Sequence, residues 1–190
     1  MLLKLSLNFK CSVLAMEYPG YGVYKTEDSD AETIMVNANL VLQFLTKVLK
    51  YKLSDIIIIG RSMGSGPACT LAAKYKDIPA LILISPFTSL KNAVKSLLGS
   101  FPSLLVKERF DNLTTIKQVA CPTLLIHGQS DTIIPYQHSV ELYEVCGGPS
   151  KLILPNLMTH NEFFFKGDIM QPMEKFFDES GVSPQLAEST

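Results

Sequence analysis

Short apolar runs rich in β-branched residues alternate with helical patterns. This predicts an α/β fold, a mostly parallel sheet with helices on both faces. Three observations carry the prediction. Ile56–Ile59 is an unbroken β-branched run, the composition of a strand buried on both faces in the middle of a parallel sheet. Further runs at Ala80–Ile84 and Thr123–Ile126 follow at intervals filled by amphipathic stretches. Gly60-Arg61-Ser62-Met63-Gly64 joins the first run directly to a helical pattern. A chain of 190 residues, 47% hydrophobic and 18% charged, suffices for one domain with a substantial core.

In order, Leu2, Leu3, Leu5 and Phe9 follow a loosely helical pattern, as in the tail of a helix. Cys11–Met16 (CSVLAM) reads as a strand ended by Glu17-Tyr18-Pro19-Gly20-Tyr21-Gly22, a turn-rich loop. The polar stretch from Lys25 to Asp30 continues that loop. A helix is expected from Ser29 or Asp30, either of which can cap it, through Leu49; Ile34, Ala38, Val41, Leu42, Leu45 and Val48 keep a period near 3.6. After the Ile56–Ile59 strand, a helix from Met63 to about Tyr75 carries Pro67 near its first turn, where the missing N–H costs little. Ala80–Ile84 is a strand closed by Ser85-Pro86. Residues 87–120 hold amphipathic pieces around Leu90–Leu98 and Leu104–Phe110, separated by Gly99 and Pro102. Thr123–Ile126 is a strand ending in His127-Gly128-Gln129-Ser130-Asp131. Pro135–Val145 reads as a helix stopped by Gly147-Gly148-Pro149. Lys151–Leu154 is a last strand, and Pro155–Asn161 a loop. A helix over Asp168–Phe177 puts Met170, Met173, Phe176 and Phe177 on one side. The expected organisation is one domain over residues 1–178 and a flexible tail over 179–190.

Net charge is −1, from 17 basic and 18 acidic residues, so nothing electrostatic points to nucleic acid or an anionic membrane. No apolar run approaches the roughly 20 residues that cross a bilayer. Cys11, Cys69, Cys121 and Cys146 stand singly, without metal or redox spacing, as expected of reduced thiols in a cytoplasmic protein. Lys4, Asn8 and Lys10 interrupt the apolar opening and argue against a secretory leader.

The chemistry concentrates at Ser62. A sharp strand-to-helix turn exposes a hydroxyl only if the serine backbone is strained. Glycine is expected at positions 60 and 64, where side chains would meet neighbouring backbone. A serine hydroxyl needs a base, and the base needs a carboxylate to orient it. Three histidines are available. His127 sits at a strand end, with a structural part beside Gly128. His138 lies inside a predicted helix among polar neighbours and is expected to be solvated. His160 follows the last strand in a loop, the position where catalytic groups gather. Asp131, in the loop after the preceding strand, is the acid candidate. Asp111 and Asp168 belong to a connector and a helix start. Ser62, Asp131 and His160 also keep the chain order nucleophile, acid, base. The Met63 backbone N–H is the expected oxyanion donor, and the reaction needs no cofactor or metal.

Gly60-Arg61-Ser62-Met63-Gly64, then His127-Gly128-Gln129-Ser130-Asp131-Thr132-Ile133-Ile134-Pro135, then Thr159-His160-Asn161 resembles the α/β-hydrolase superfamily. With Glu17-Tyr18-Pro19-Gly20-Tyr21-Gly22, the chain is similar to the small eukaryotic protein depalmitoylases of the domain-containing-protein-17 type, over about residues 11–178. The resemblance implies a Ser62–His160–Asp131 triad acting on acyl esters or thioesters, with an acylated protein among the substrates. It also implies strands and a helix ahead of the point matching Cys11, hence a truncated chain. The missing part would include a strand between Cys11–Met16 and Ile56–Ile59 and a loop bearing the second oxyanion donor.

Two other functions stand beside this one. The triad does not distinguish esters from amides, so a serine peptidase of the same fold is an alternative. A non-catalytic truncated domain acting as a binding or scaffold module is another. Arg61 suits either the pocket mouth or the surface. Val94, Leu97, Leu98, Phe101, Leu104 and Leu105 suit either an acyl groove or core packing, with core packing the preferred reading. Peripheral membrane association stays open, since an upstream region is where lipidated cysteines would sit.

Overall fold

The structure, a computed structural model, describes residues 1–24, 30–99 and 109–184. Four strands, β1 (Ile58–Arg61), β2 (Leu81–Ile84), β3 (Thr123–Ile126) and β4 (Ser150–Ile153), form a parallel sheet in chain order. Arg61, Ile84, Ile126 and Ile153 share one row of the register, so all four following loops leave from the same end of the sheet. That end carries the candidate site.

The period-2 alternation of the strands divides the core. Ile82, Ile84, Leu124 and Ile126 face helices α1 (Leu2–Phe9) and α7 (Gln171–Ser180), meeting Leu5, Phe9, Met173, Phe176 and Phe177. Leu81, Leu83 and Leu125 face the opposite way. They pack on Ala68, Cys69 and Ala72 of α3 (Ser65–Lys74) and on Leu142 of α6 (Gln137–Glu144). Phe9 and Phe177 meet edge to face at 5.2 Å between centroids. Burying side chains of this size stabilises by about 1.5–3 kcal/mol each.

Helix α2 (Ala31–Gln43) turns Ile34, Ala38 and Leu42 inward; Ala38 and Leu42 meet Leu71 of α3. Its cap is Asp30, whose carboxylate accepts from the Glu32 and Thr33 backbone N–H groups at 2.7 and 2.9 Å. Ser29, the other cap candidate, lies outside the described residues, as do residues 25–28. A π-helical stretch over Phe44–Val48 extends α2 close to the expected end. Helix α4 (Leu90–Leu98) has the expected bounds, and α5 (Asn112–Thr115) is a single turn. The last helix begins with π turns over Phe165–Met170 and runs to Ser180. Gly181 then caps it in the left-handed region, and Val182 packs on the core. Residues 185–190 lie outside the described residues. No helix among the described residues is long and apolar enough to cross a membrane.

Two strand expectations are corrected. Cys11–Met16 is not a strand. A ladder needs a partner, and CSVLAM has none among the described residues. Cys11 and Val13 instead pack on the α1–α7 core and Met16 on the α2–α3 core. The isoleucine run is shifted: β1 begins at Ile58 and, among the described residues, is paired on one side only, leaving Ile59 37% exposed.

Candidate active site

The turn after β1 places Ser62 at φ 51°, in the left-handed region that serine rarely adopts. A 3₁₀ turn over Ser62–Gly64 leads straight into α3, so the first backbone N–H groups beyond Ser62 point out of a helix N-terminus. The close passage of strand and helix explains Gly60. A Cβ there would lie 2.6 Å from both the Ala68 Cβ and the Gly64 carbonyl oxygen. Position 64 differs from expectation. Outside its own turn and helix, a Cβ there would meet only the Tyr18 hydroxyl at 3.3 Å.

Ser62, His160 and Asp131 come together across almost a hundred residues of chain. His160 Nε2 lies 2.9 Å from Ser62 Oγ, and His160 Nδ1 lies 2.7 Å from Asp131 Oδ2. The Asp131 side chain is anchored on both oxygens. Oδ1 accepts the Ile133 and Ile134 N–H groups at 2.9 Å each. Oδ2 faces His160 and, at 3.3 Å, His127 Nε2. Burial works to raise this carboxyl, but hydrogen bonds from His127, His160 and the Ile134 N–H outweigh it and hold it well below the ordinary carboxylate range. An ionised carboxylate can only accept, so the His160 proton sits on Nδ1 and the Nε2 lone pair faces the serine hydroxyl. The loops bearing acid and base meet closely at Gly128, where a Cβ would fall 1.9 Å from the Met158 carbonyl oxygen.

His127 is fully buried. Nε2 donates to the Ile134 carbonyl at 2.8 Å, and Nδ1 lies 2.7 Å from Ser139 Oγ. Its contact with Asp131 was missed from sequence. The four-residue spacing within His127–Asp131, starting at a strand end, was the available signal. Arg61 is half-buried: it donates to the His160 carbonyl and, at 3.0 Å, to Asn161 Oδ1.

His138 corrects the expectation of a solvated residue. It is buried where α6 turns it against Thr88, ahead of α4, and Ser96, in the last turn of α4. Nδ1 accepts the Thr88 backbone N–H at 3.3 Å and lies 2.9 Å from Thr88 Oγ1, while Nε2 meets Ser96 Oγ at 3.1 Å. Burial pushes its pKa down, His127 adds to the effect, and Asp131 opposes it. The fold therefore favours neutral imidazole. That stabilisation is complete above the ordinary histidine value of about 6.5 and is lost as pH falls toward the lower folded value. Melting temperatures followed downward from about pH 6.5 should decline less for His138→Gln than for wild type.

Leu97 and Leu98 are 52% and 61% exposed, so core packing, the preferred reading, does not account for them. Phe101, Leu104 and Leu105 lie outside the described residues. Among the described residues no cluster of three or more His, Cys, Asp or Glu side chains is arranged to hold a metal.

Residues 3–115 match the family described as alpha/beta hydrolase fold. The chain is 27% identical over 184 residues to the human alpha/beta hydrolase domain-containing protein 17B, covering 94% of this chain and 60% of that protein. It is 26% identical over 177 residues to the alpha/beta hydrolase domain-containing protein aho-3 of Caenorhabditis elegans, covering 92% and 51%. The chain thus spans between half and two thirds of these curated relatives. Among solved structures, the Pyrococcus furiosus esterase PF2001 superposes with a TM-score of 0.76 at 18% identity, over 94% of this chain and 74% of that one.

Proposed function

The chain belongs to the alpha/beta hydrolase fold family, and on that footing we propose that it is a serine hydrolase cleaving acyl esters or thioesters, with depalmitoylation of acylated proteins as its finer assignment. One observation supports this most: the unbroken path from Ser62 Oγ through the His160 ring to the doubly anchored Asp131. Ser62 Oγ attacks the acyl carbonyl as His160 Nε2 takes its proton. The tetrahedral oxyanion turns toward the Met63 N–H at the helix N-terminus, where the dipole favours negative charge. Collapse breaks the carbon–sulfur or carbon–oxygen bond, and His160 returns the proton to the departing thiolate or alkoxide. Water, deprotonated by the same nitrogen, then attacks the acyl-enzyme and frees the carboxylic acid and Ser62. Asp131 fixes the imidazole tautomer throughout. The exposed Leu97 and Leu98 at the end of α4 are available to an acyl chain.

Turnover of an acyl thioester, a p-nitrophenyl ester and an aminoacyl amide by the same preparation tests the assignment. Faster thioester and ester cleavage is the expected result. Preferential amide cleavage would make the chain a peptidase, and no turnover by folded protein would leave a binding module.

A further inference from the structure

We propose that Arg61 is a positioning residue that clamps the His160 loop to the nucleophile turn, an inference that rests on the serine-hydrolase reading. Arg61 is the last residue of β1 and immediately precedes Ser62. Its Nη2 donates to the His160 main-chain carbonyl and, at 3.0 Å, to Asn161 Oδ1. Its Cζ lies 5.8 Å from the centre of the Phe163 ring. Three residues of one loop converge on this guanidinium. Among the described residues no carboxylate stands within ion-pair distance of it.

The chemistry suits a clamp. Nη2 carries two in-plane protons at a fixed angle and can serve a main-chain oxygen and a side-chain amide oxygen together. The charge adds attraction to the face of Phe163. The loop is closed on itself through Thr159 N–H to the Glu162 carbonyl and Glu162 N–H to Thr159 Oγ1, both at 2.9 Å. It therefore moves as a unit, and its placement depends on what grips it from outside. On one side Ser130 N–H donates to the Met158 carbonyl at 3.2 Å and Asp131 holds the imidazole. On the other, Arg61 grips the main chain of His160 itself. The nucleophile turn and the base are thereby tied through the residue next to the nucleophile. Without the clamp the ring keeps Asp131 but is free to pivot away from Ser62 Oγ, and a shift of about 1 Å at such a site can cost about 100-fold.

The test uses Arg61→Met, which keeps length and apolar stem, and Arg61→Lys, which restores a donor. Two readings are taken on the full chain: the rate of phosphonylation by a fluorophosphonate probe, and the positions of the His160 ring ¹H–¹⁵N correlations. The clamp predicts phosphonylation slowed about 100-fold in Arg61→Met with displaced His160 ring signals, and recovery in Arg61→Lys to within about tenfold of wild type. A role in packing alone predicts no such difference between Met and Lys. Wild-type rates and ring signals in Arg61→Met would overturn the proposal. If Arg61→Met does not fold, Asn161→Ala removes one acceptor from an exposed position and should give the same two changes on a smaller scale; unchanged readings there would equally overturn it. A wild-type chain that is never labelled contradicts the hydrolase reading instead. The ring signals then decide the clamp alone: displaced in Met and restored in Lys it stands, unchanged it falls.

Discussion

Ser62→Ala should lose ester and thioester turnover on the order of 10⁶-fold, with little change in substrate affinity. Removal of the hydroxyl removes the covalent route, and what survives is binding and oxyanion stabilisation of direct attack by water. The backbone supplies an internal control. Ser62 is held at φ 51°, a conformation that costs a side-chain-bearing residue about 1–2 kcal/mol and glycine almost nothing. Ser62→Gly should therefore be as inactive as Ser62→Ala yet more thermostable than wild type. Loss of activity with a gain in stability separates a chemical role from a structural one. Steady-state kinetics and thermal melts on the two variants suffice to check it.

Asp131→Asn should lower kcat by about 10⁴-fold while the fold persists. The reason lies in the two sides of the carboxylate. Oδ1 accepts the Ile133 and Ile134 N–H groups, so the carbonyl oxygen of an asparagine is drawn to that side. The amide NH₂ must then face His160 Nδ1, which can no longer donate and becomes the acceptor. The His160 proton moves to Nε2, and the nitrogen facing Ser62 loses the lone pair it needs. The same substitution changes the acid stability. The folded carboxyl is held below its ordinary range, so its stabilisation is complete above the unfolded value of about 3.9 and is lost as pH falls below it. In Asp131→Asn that acid-dependent loss should be missing from melting curves taken below about pH 4.

Much of the architecture was legible in the chain because the signals were local. Thr123–Ile126 is apolar, flanked by turn residues and paired on both sides, and its bounds match expectation. Leu90–Leu98 is delimited by the Ser89 cap and Gly99. Gly60 could be foreseen because the strand-to-helix turn presses its neighbours together, and the positive φ of Ser62 follows from the same turn. What was not legible depends on partners distant in sequence. CSVLAM has strand composition, but composition cannot supply the neighbouring strand a ladder requires. The isoleucine run has the content of a central strand, yet among the described residues β1 is paired on one side only, with Ile59 exposed. His138 stands among polar residues in the sequence; only the packing of α6 on α4 reveals that Thr88 and Ser96 enclose it. Arg61 was ambiguous for the same reason, since its partners lie about a hundred positions away.

The whole mechanism depends on Ser62 being a nucleophile activated by His160. Mass mapping of the folded chain after reaction with a fluorophosphonate tests it most directly. One adduct per chain is expected, on the peptide containing Ser62, and its loss in His160→Ala. An adduct on another residue, or a folded chain that takes none, would contradict it.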